Sequence, residues 1–178
     1  MTDSAILLRQ KLPAVLPRLR RFARTLARTP HDADDLAQDT LERALSRAGQ
    51  WRAPPAEATP EQVEVAVRSW MFGIMKNAWI DNRRAAGRER AVVTQDESLM
   101  LEASEDSGCA LQERLSLDAA MEHLPDEQRL AVALVLVEGL SYAEAAETLQ
   151  IPQGTLTSRL HRGRETLMRL LDDTGATT

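Results

Sequence analysis

Apolar residues recur at three- and four-residue steps along much of this 178-residue chain, a spacing that is typical of amphipathic helices. In residues 12–26 the apolar stripe predicts a first helix, which should end near Pro30. A second stripe over residues 36–48 predicts the next helix, with Asp32 or Asp34 as its N-terminal cap. Because β-branched runs are short, the pattern predicts an all-α fold without strands.

Proline and glycine residues divide the chain further. Residues 52–60 contain three prolines and are predicted to form a loop. Thr59 and Pro60 then predict the start of a third helix, in which the Gln62 amide caps the first turn reciprocally. We expect this third helix to fray near Gly87.

Two helical segments around a tight turn are predicted near the C-terminal end. Ser141 and Glu144 form the spacing of a capping box, and Pro152 ends the helix that they start. One face of the next segment is apolar and consists of Leu156, Leu160, Gly163, Leu167 and Leu170. The opposite face carries hydroxyl and guanidinium groups on Thr155, Ser158, Arg159 and Arg162. A short helix, a turn and a second helix with such an outward strip predict a DNA-reading helix-turn-helix.

The net charge is −5, and the charged residues are distributed unevenly along the chain. Residues 1–90 have 16 basic and 11 acidic residues, whereas residues 91–113 have six acidic residues and no basic one. Binding to phosphates depends on local basic patches, so the total charge does not exclude nucleic acid. We therefore predict two small helical domains, at 1–90 and 114–172, joined by a flexible acidic linker at 91–113 and followed by a frayed tail at 173–178.

Other sequence features favour an intracellular protein without catalytic machinery. The single cysteine, Cys109, excludes an internal disulfide framework and suits the reducing cytoplasm. No secretory signal or membrane-spanning run is visible, which predicts a cytoplasmic protein without membrane insertion. The histidines are scattered and no glycine-rich phosphate loop occurs, so neither a cofactor nor an enzymatic activity is predicted.

The second predicted helix has a polar face opposite its apolar stripe, formed by Asp35, Gln38, Asp39 and Glu42. From periodicity alone, this pattern favours a solvated face with acidic charge near a helix N-terminus, and a partner-docking surface is the alternative. A metal site built from Asp32, Asp35 and Asp39 is a further alternative, but no second acidic helix or histidine cluster supplies the remaining ligands.

The third predicted helix concentrates aromatic and basic residues. Its aromatics are Trp70, Phe72 and Trp79, and its polar residues include Lys76, Asn77, Asn82, Arg83, Arg84, Arg88 and Arg90. Stacking faces, amides and arginines together suit single-stranded nucleic acid, whereas core packing of the aromatics is the alternative. The first helix also carries arginines, at positions 18, 20, 21, 24 and 28, which form either a solvated face or phosphate contacts.

Three segments in this order resemble bacterial sigma factors. Residues 34–45 are similar to the region that docks on core RNA polymerase, and residues 70–84 to the stretch that opens and holds the −10 promoter element. Residues 124–160 resemble the domain that reads the −35 element. With only two domains and a linker, the chain looks like the extracytoplasmic-function (group IV) subgroup of the sigma-70 family. Gly73 stands where this family usually has a bulkier residue.

The resemblance implies roles for individual residues. Asp35, Gln38, Asp39 and Glu42 would contact the clamp helices of the largest subunit of core RNA polymerase. Asn77 would help to hold a flipped −10 base, and Lys76, Arg83 and Arg84 would contact nearby −10 DNA. Thr155, Ser158, Arg159 and Arg162 would enter the −35 major groove of promoter DNA. An anti-sigma factor is a further expected partner, and the acidic linker is expected to weaken DNA binding by the isolated protein.

Two functions from other classes remain open at this stage. A helix-turn-helix repressor or activator would bind a duplex operator without making core polymerase start transcription. A metal-dependent helical enzyme would use the aspartates near residues 32–39 and would carry a divalent metal.

Overall fold

The computed structural model describes residues 3–92, 117 and 119–175. The N-terminal bundle consists of α1 (Asp3–Leu26), α2 (Pro30–Ser46) and α3 (Pro60–Val92), with a short 3-10 turn at Ala48–Gln50. Residues 119–122 are helical, and the C-terminal bundle continues with α4 (Asp126–Val132), a π-helical turn at Ala133–Val137, α5 (Tyr142–Leu149) and α6 (Gln153–Gly175). The described residues form no strand, which confirms the all-α prediction.

Helix α1 begins nine residues before the predicted start at residue 12. Its apolar stripe continues toward the N-terminus, where Ala5 and Leu8 are buried. Pro13 and Pro17 lie inside the helix on its exposed face, so water can reach the carbonyl groups that lose a helical partner. Both prolines are therefore accommodated within the helix.

The cap of α2 was predicted wrongly. Thr29, rather than Asp32 or Asp34, is the cap residue, and its hydroxyl accepts a hydrogen bond from the Asp32 backbone N–H at 3.0 Å. Pro30 follows at the first helical position, where a missing N–H has no cost. Both aspartates lie inside the helix that they were expected to start.

The start of α3 was predicted correctly, but its end was not. The Thr59 N–H donates to the Gln62 side chain at 2.8 Å, and the Gln62 N–H donates to the Thr59 hydroxyl at 3.2 Å. The helix continues past Gly87 to Val92, because one glycine costs a helix only about 1 kcal/mol and no proline follows. The remainder of the predicted linker, residues 93–113, lies outside the described residues.

The core of the N-terminal bundle is built around aromatic side chains. The rings of Phe22 and Phe72 lie 4.6 Å apart, and both are fully buried between α1 and α3. Trp79 is also buried, and its indole N–H donates to the Leu26 carbonyl at 3.0 Å. This bond ties the end of α1 to the middle of α3.

The C-terminal bundle confirms the predicted helix-turn-helix. Ser141 and Glu144 form the capping box of α5, and the helix ends at Gln150, which adopts a left-handed conformation with φ +57°. Helix α6 packs closely on α4 at Gly163, where an added Cβ would lie 2.8 Å from Cγ2 of Val132. Helix α6 extends to Gly175, into the predicted tail, because Leu170 and Leu171 still pack against the core.

Candidate nucleic-acid interface

The acidic face of α2 points outward. Asp35, Gln38 and Glu42 are exposed, and the Gln38 amide donates to the Glu42 carboxylate at 3.1 Å. Asp39 is half-buried and accepts a hydrogen bond from Arg43 at 2.7 Å, which raises the pKa of the Arg43 guanidinium. This contact fixes the Asp39 carboxylate on the helix surface, so the four predicted docking residues form one continuous polar strip.

The alternative metal site receives no support in this part of the chain. Within the described residues, no group of three or more histidine, cysteine, aspartate or glutamate side chains is arranged to hold a metal ion. Asp35 instead lies 3.5 Å from the His31 imidazole, and Asp39 is engaged with Arg43. Asp35 and Asp39 therefore have different neighbours and do not share one ligand position.

Two of the three aromatic residues that suggested a stacking platform belong to the core. Phe72 and Trp79 are buried, so neither presents a ring face to a base, and that interpretation of the cluster was wrong for them. Trp70 is half-buried and packs against the core. The periodic pattern missed this because a helix as long as α3 contacts several neighbours and buries more than one face.

The predicted −10 residues of α3 differ in exposure. Asn77 is exposed, whereas Lys76 is buried, and burial lowers the pKa of its ammonium group. Both line a cleft of about 1010 Å³ that is bounded by α3, by residues 47–52 and by α5. From α5 and its C-terminal end, this cleft is lined by Glu144, Glu147, Thr148 and Gln150.

Arg83 and Arg84 of α3 both lie at the surface. Arg83 stacks over Trp79, with 5.1 Å from its guanidinium carbon to the ring centre, and forms an ion pair with Asp126 at 2.9 Å. Arg84 is exposed. Arg83 therefore contacts the C-terminal bundle in this structure, while Arg84 remains available to phosphate.

The outward strip of α6 lies where the sequence predicted it. Arg162 is exposed, and Thr155, Ser158 and Arg159 are half-buried. The Ser158 hydroxyl donates to the Thr155 carbonyl at 2.9 Å. Arg159 forms a 2.7 Å ion pair with Glu127 of α4, which orients its guanidinium along the helix surface.

Sequence reasoning missed a group of residues between the bundles. Arg129 is 2% exposed, and Glu138 is likewise buried, although both are charged. Arg21, which was considered only for a solvated face or phosphate contact, binds the Glu138 carboxylate. No local spacing signals these contacts, since the partners are more than 100 residues apart.

Comparison with known proteins gives the identity of the two bundles. The profile of Sigma-70 region 4 matches residues 114–167, and the profile of the Sigma2 domain of PhyR matches residues 12–76. The ECF RNA polymerase sigma factor EcfG of Rhodopseudomonas palustris is 35% identical over 177 residues, covering 99% of this chain and 90% of EcfG. This chain belongs to the ECF sigma factors.

Further relatives agree with this assignment. The ECF sigma factor SigM of Mycobacterium tuberculosis is 34% identical over 153 residues, covering 86% of this sigma factor and 71% of SigM. This ECF sigma factor is therefore a promoter-specific transcription initiation factor, and the sigma factors are not a family of enzymes. Within the described residues, none of its helices combines the length and the apolar character that crossing a membrane requires.

Solved structures show the same fold. The sigma factor RpoE from Bartonella quintana, in complex with the anti-sigma factor NepR, matches with a TM-score of 0.70 at 30% identity, covering 92% of this ECF sigma factor and 96% of RpoE. CnrH in complex with the cytosolic domain of CnrY matches with a TM-score of 0.60 at 23% identity, covering 97% and 99%. The first match spans both bundles.

Proposed function

We propose that this sigma factor docks on core RNA polymerase through the acidic face of α2, captures unstacked −10 bases near Asn77 and reads duplex −35 DNA with α6. The observation that carries this proposal is the exposure of two chemically different strips on one chain. Asp35 belongs to the carboxylate-rich strip on α2, and Arg162 belongs to the hydroxyl and guanidinium strip on α6. The first suits a protein partner with basic residues, and the second suits a DNA groove.

In the proposed docking, α2 contacts the clamp helices of the largest polymerase subunit. Asp35, Gln38, Asp39 and Glu42 present carboxylate and amide oxygens along nearly two helical turns. The Arg43 contact holds the Asp39 side chain in one orientation, which reduces the conformational entropy that polymerase binding must remove.

The −10 step assigns base capture to the exposed amide of Asn77, which can donate to and accept from a base edge. Arg84 would hold a neighbouring phosphate, and Lys76 and Arg83 would do so once they separate from the C-terminal bundle. Extruding a base costs a few kcal/mol of unstacking and unpairing. Binding of the −35 element and of polymerase supplies the free energy that keeps the strand open.

The −35 step assigns α6 to the major groove. Arg159 and Arg162 would each reach a guanine edge or a phosphate, and the hydroxyls of Thr155 and Ser158 would contact bases or backbone. Because Glu127 already orients the Arg159 guanidinium, the side chain loses less freedom when it binds DNA.

The proposal includes the domain limits and the partners. Residues 1–90 would act at polymerase and the −10 element, residues 91–113 would link the domains, and residues 114–172 would act at −35, with 173–178 as a tail. The protein would act in the cytoplasm, together with bacterial RNA polymerase. An anti-sigma factor would bind it, as NepR binds RpoE in the matched complex.

One experiment tests the proposal as a whole. Purified protein and core polymerase are added to a library of duplexes with random −35 and −10 segments, and the transcripts are sequenced. We expect enrichment of one −35 and one −10 sequence, with core enzyme alone as the control. Arg159→Ala should relax only the −35 preference, and Asn77→Ala only the −10 preference. Duplex binding without any transcription would instead identify a helix-turn-helix regulator that acts without core enzyme.

A further inference from the structure

One exposed residue near the start of α6 lies beside the outward strip rather than in it. Thr157 is the fifth residue of the helix, and with Gly154 and His161 it forms a row at three- and four-residue steps in which every member is exposed. This row borders the strip at Ser158. In a helix-turn-helix protein, residues near the N-terminal end of the second helix contact the base edges in the major groove. Thr157 therefore occupies a position from which a base can be reached.

The hydroxyl group of Thr157 is already bonded within the helix. Its Oγ1 donates to the carbonyl of Gln153, one turn earlier, at 2.9 Å. A threonine in a helix divides between two side-chain rotamers, and a bond from Oγ1 to the preceding turn selects one of them. This bond uses the only hydroxyl proton and holds the Cγ2 methyl group in one position. Thr157 thus presents a methyl group in a defined orientation.

The turn before Thr157 leaves room for a ligand. A helical side chain leans toward the N-terminus of its helix, so that of Thr157 lies over the turn that contains Gly154. An added Cβ at Gly154 would meet nothing within 4 Å, so this part of the surface is open. In the following turn, the His161 imidazole lies 3.3 Å from the Glu165 carboxylate, a contact that directs it farther along the helix. A flat group can therefore approach Thr157 over Gly154.

The other hydroxyl residues at the start of α6 do not share these properties. Thr155 is half-buried, whereas Thr157 is exposed. The Ser158 hydroxyl also bonds within the helix, to the Thr155 carbonyl at 2.9 Å, but serine has no methyl group. Of these three residues, Thr157 is the one that combines exposure, an internal hydroxyl bond and a methyl group.

The major groove contains one base group that matches a methyl. Thymine presents its C5-methyl group there, whereas the edges of the other bases present hydrogen-bond donors and acceptors. A methyl group placed against a polar edge would displace water without replacing its hydrogen bonds, which costs free energy. A methyl group placed against another methyl removes apolar surface from water on both sides. The chemistry of the Thr157 side chain therefore favours thymine.

We propose that Thr157 contacts the C5-methyl group of one thymine in the −35 element and thereby determines one base pair of the sequence that this sigma factor selects. This inference rests on the proposed insertion of α6 into the −35 major groove. It adds a specificity-determining residue outside the outward strip. It also names the chemical group that this residue recognises.

The test uses the complete protein bound to core RNA polymerase and the promoter selected in the transcription experiment. Each thymine of the −35 element, on either strand, is replaced in turn by deoxyuridine. The base of deoxyuridine lacks only the C5-methyl group and still pairs with adenine, so the hydrogen-bonding pattern of the groove is unchanged. Competition with the labelled, unmodified promoter measures the relative affinity.

Two variants of one residue separate the methyl group from the hydroxyl. Thr157→Ser removes the methyl group and keeps the hydroxyl, whereas Thr157→Val keeps the methyl group and replaces the hydroxyl by a second methyl. Thr25→Ser is the matched control, because Thr25 of α1 makes the same bond within its helix, from Oγ1 to the Arg21 carbonyl at 3.1 Å. Helical ellipticity verifies that each variant folds.

We expect deoxyuridine at one thymine position to weaken wild-type binding about fourfold, which corresponds to the loss of one buried methyl group. Thr157→Ser should bind the unmodified promoter about fourfold more weakly, and deoxyuridine at that position should have no further effect on it. Thr157→Val should still distinguish thymine from deoxyuridine. Thr25→Ser should behave as the wild type.

Three outcomes would overturn the inference. The first is a selected −35 element in which no thymine is present or in which deoxyuridine has no effect at any position. The second is an equal effect of deoxyuridine on the wild type and on Thr157→Ser, because another residue or the stiffness of the DNA would then be responsible. The third is discrimination that Thr157→Ser keeps and Thr157→Val loses, because the hydroxyl would then read the base.

Failure of the proposed function has a different result. In that case the wild type with core polymerase selects no −35 element at all, and the Thr157 contact is rejected with it. A selected −35 element together with any of the three outcomes above rejects the Thr157 contact alone.

Discussion

The two bundles present their basic helices differently. In the C-terminal bundle, the outward strip of α6 stays at the surface, and Arg162 is exposed as the apolar periodicity predicts. In the N-terminal bundle, the basic part of α3 is divided, since Asn77 is exposed while Lys76 is buried in the cleft. The difference shows that periodicity predicts which face of a helix points away from the core of its own bundle. It does not predict which exposed face a second bundle will cover.

The bundles also differ in how they pack. The N-terminal bundle places Phe22, Phe72 and Trp79 between its helices, and the Trp79 indole bonds to a helix-end carbonyl. The core of the C-terminal bundle has no aromatic side chain among the described residues and consists mainly of leucine and alanine, and Gly163 lets α6 approach α4 to a distance that excludes a side chain. We therefore expect surface changes in α2 and packing changes in α6 to affect separate functions, and the following variants test this division.

The largest effect is expected from Asp39→Arg, which should abolish binding to core polymerase, a loss of about 100-fold or more in affinity, because it places a cation in the acidic strip. The fold should remain, since an ion pair between neighbouring turns of one helix, such as the half-buried Asp39–Arg43 pair, contributes only about 0.3–0.5 kcal/mol. Pull-down of purified core enzyme measures this effect. Glu57→Arg, the same charge change in an exposed loop, is the control, and full retention of core by Asp39→Arg would refute the docking surface.

Gly163→Leu should act on the other bundle. Its side chain would meet Val132 and Gln128 at once, so we expect a loss of about 1–3 kcal/mol in the free energy of unfolding. Urea unfolding followed by helical ellipticity measures the change. The control is Gly154→Leu, where the added side chain meets open space. Core polymerase binding should persist in both variants; if Gly163→Leu loses it as well, the two bundles do not function separately.

Arg159→Ala should weaken −35 recognition by about 1–3 kcal/mol and relax the preference at one base pair, while core binding is unchanged. Competition between the selected −35 duplex and single-base variants measures this. Arg169→Ala, an exposed arginine farther along α6, should lack the base-specific effect. Equal behaviour of the two variants on every duplex would show that Arg159 contacts phosphate only.

Glu127→Gln, which removes the ion-pair partner of Arg159, should change the affinity for DNA by less than about threefold, as expected for a surface pair.

The smallest effect concerns the capping box of α5. Ser141→Ala removes the hydroxyl that accepts the Glu144 N–H at 3.3 Å and donates to the Glu144 carboxylate at 2.7 Å, which should cost about 1 kcal/mol. Chemical unfolding at neutral pH measures this. Thr157→Ala removes a hydroxyl that bonds within α6 without capping a helix, and its effect should be smaller.

The Ser141–Glu144 capping box also predicts that the free energy of unfolding depends on pH in the acidic range. Burial alone would raise the pKa of the Glu144 carboxyl, but hydrogen bonds from the Ser141 hydroxyl and N–H lower it below the ordinary value near 4.5. A lowered folded-state pKa stabilises the fold above about pH 4.5, and that contribution is lost as the pH falls through the folded-state value. The stability difference between wild type and Ser141→Ala should therefore shrink at low pH. A difference that stays constant down to pH 3 would show that the carboxylate does not participate.

Local signals in the sequence were sufficient for much of the fold. The pairs Thr59–Gln62 and Ser141–Glu144 marked helix starts correctly, because a cap is made by residues three positions apart. The cap of α2 was missed, since three candidate residues compete within six positions and the Thr29 hydroxyl prevails, with proline after it. The end of α3 was missed because Gly87 is a weak signal on its own.

The sequence by itself determined the all-α fold, the helix-turn-helix and the outward strips of α2 and α6, because periodicity and capping act within a few residues. Only the tertiary structure decided that Phe72 and Trp79 are core residues, that Lys76 faces a cleft and that Arg21 binds Glu138. These features arise from contacts between residues far apart in the chain. Their free energy depends on burial and on partners that no local pattern contains.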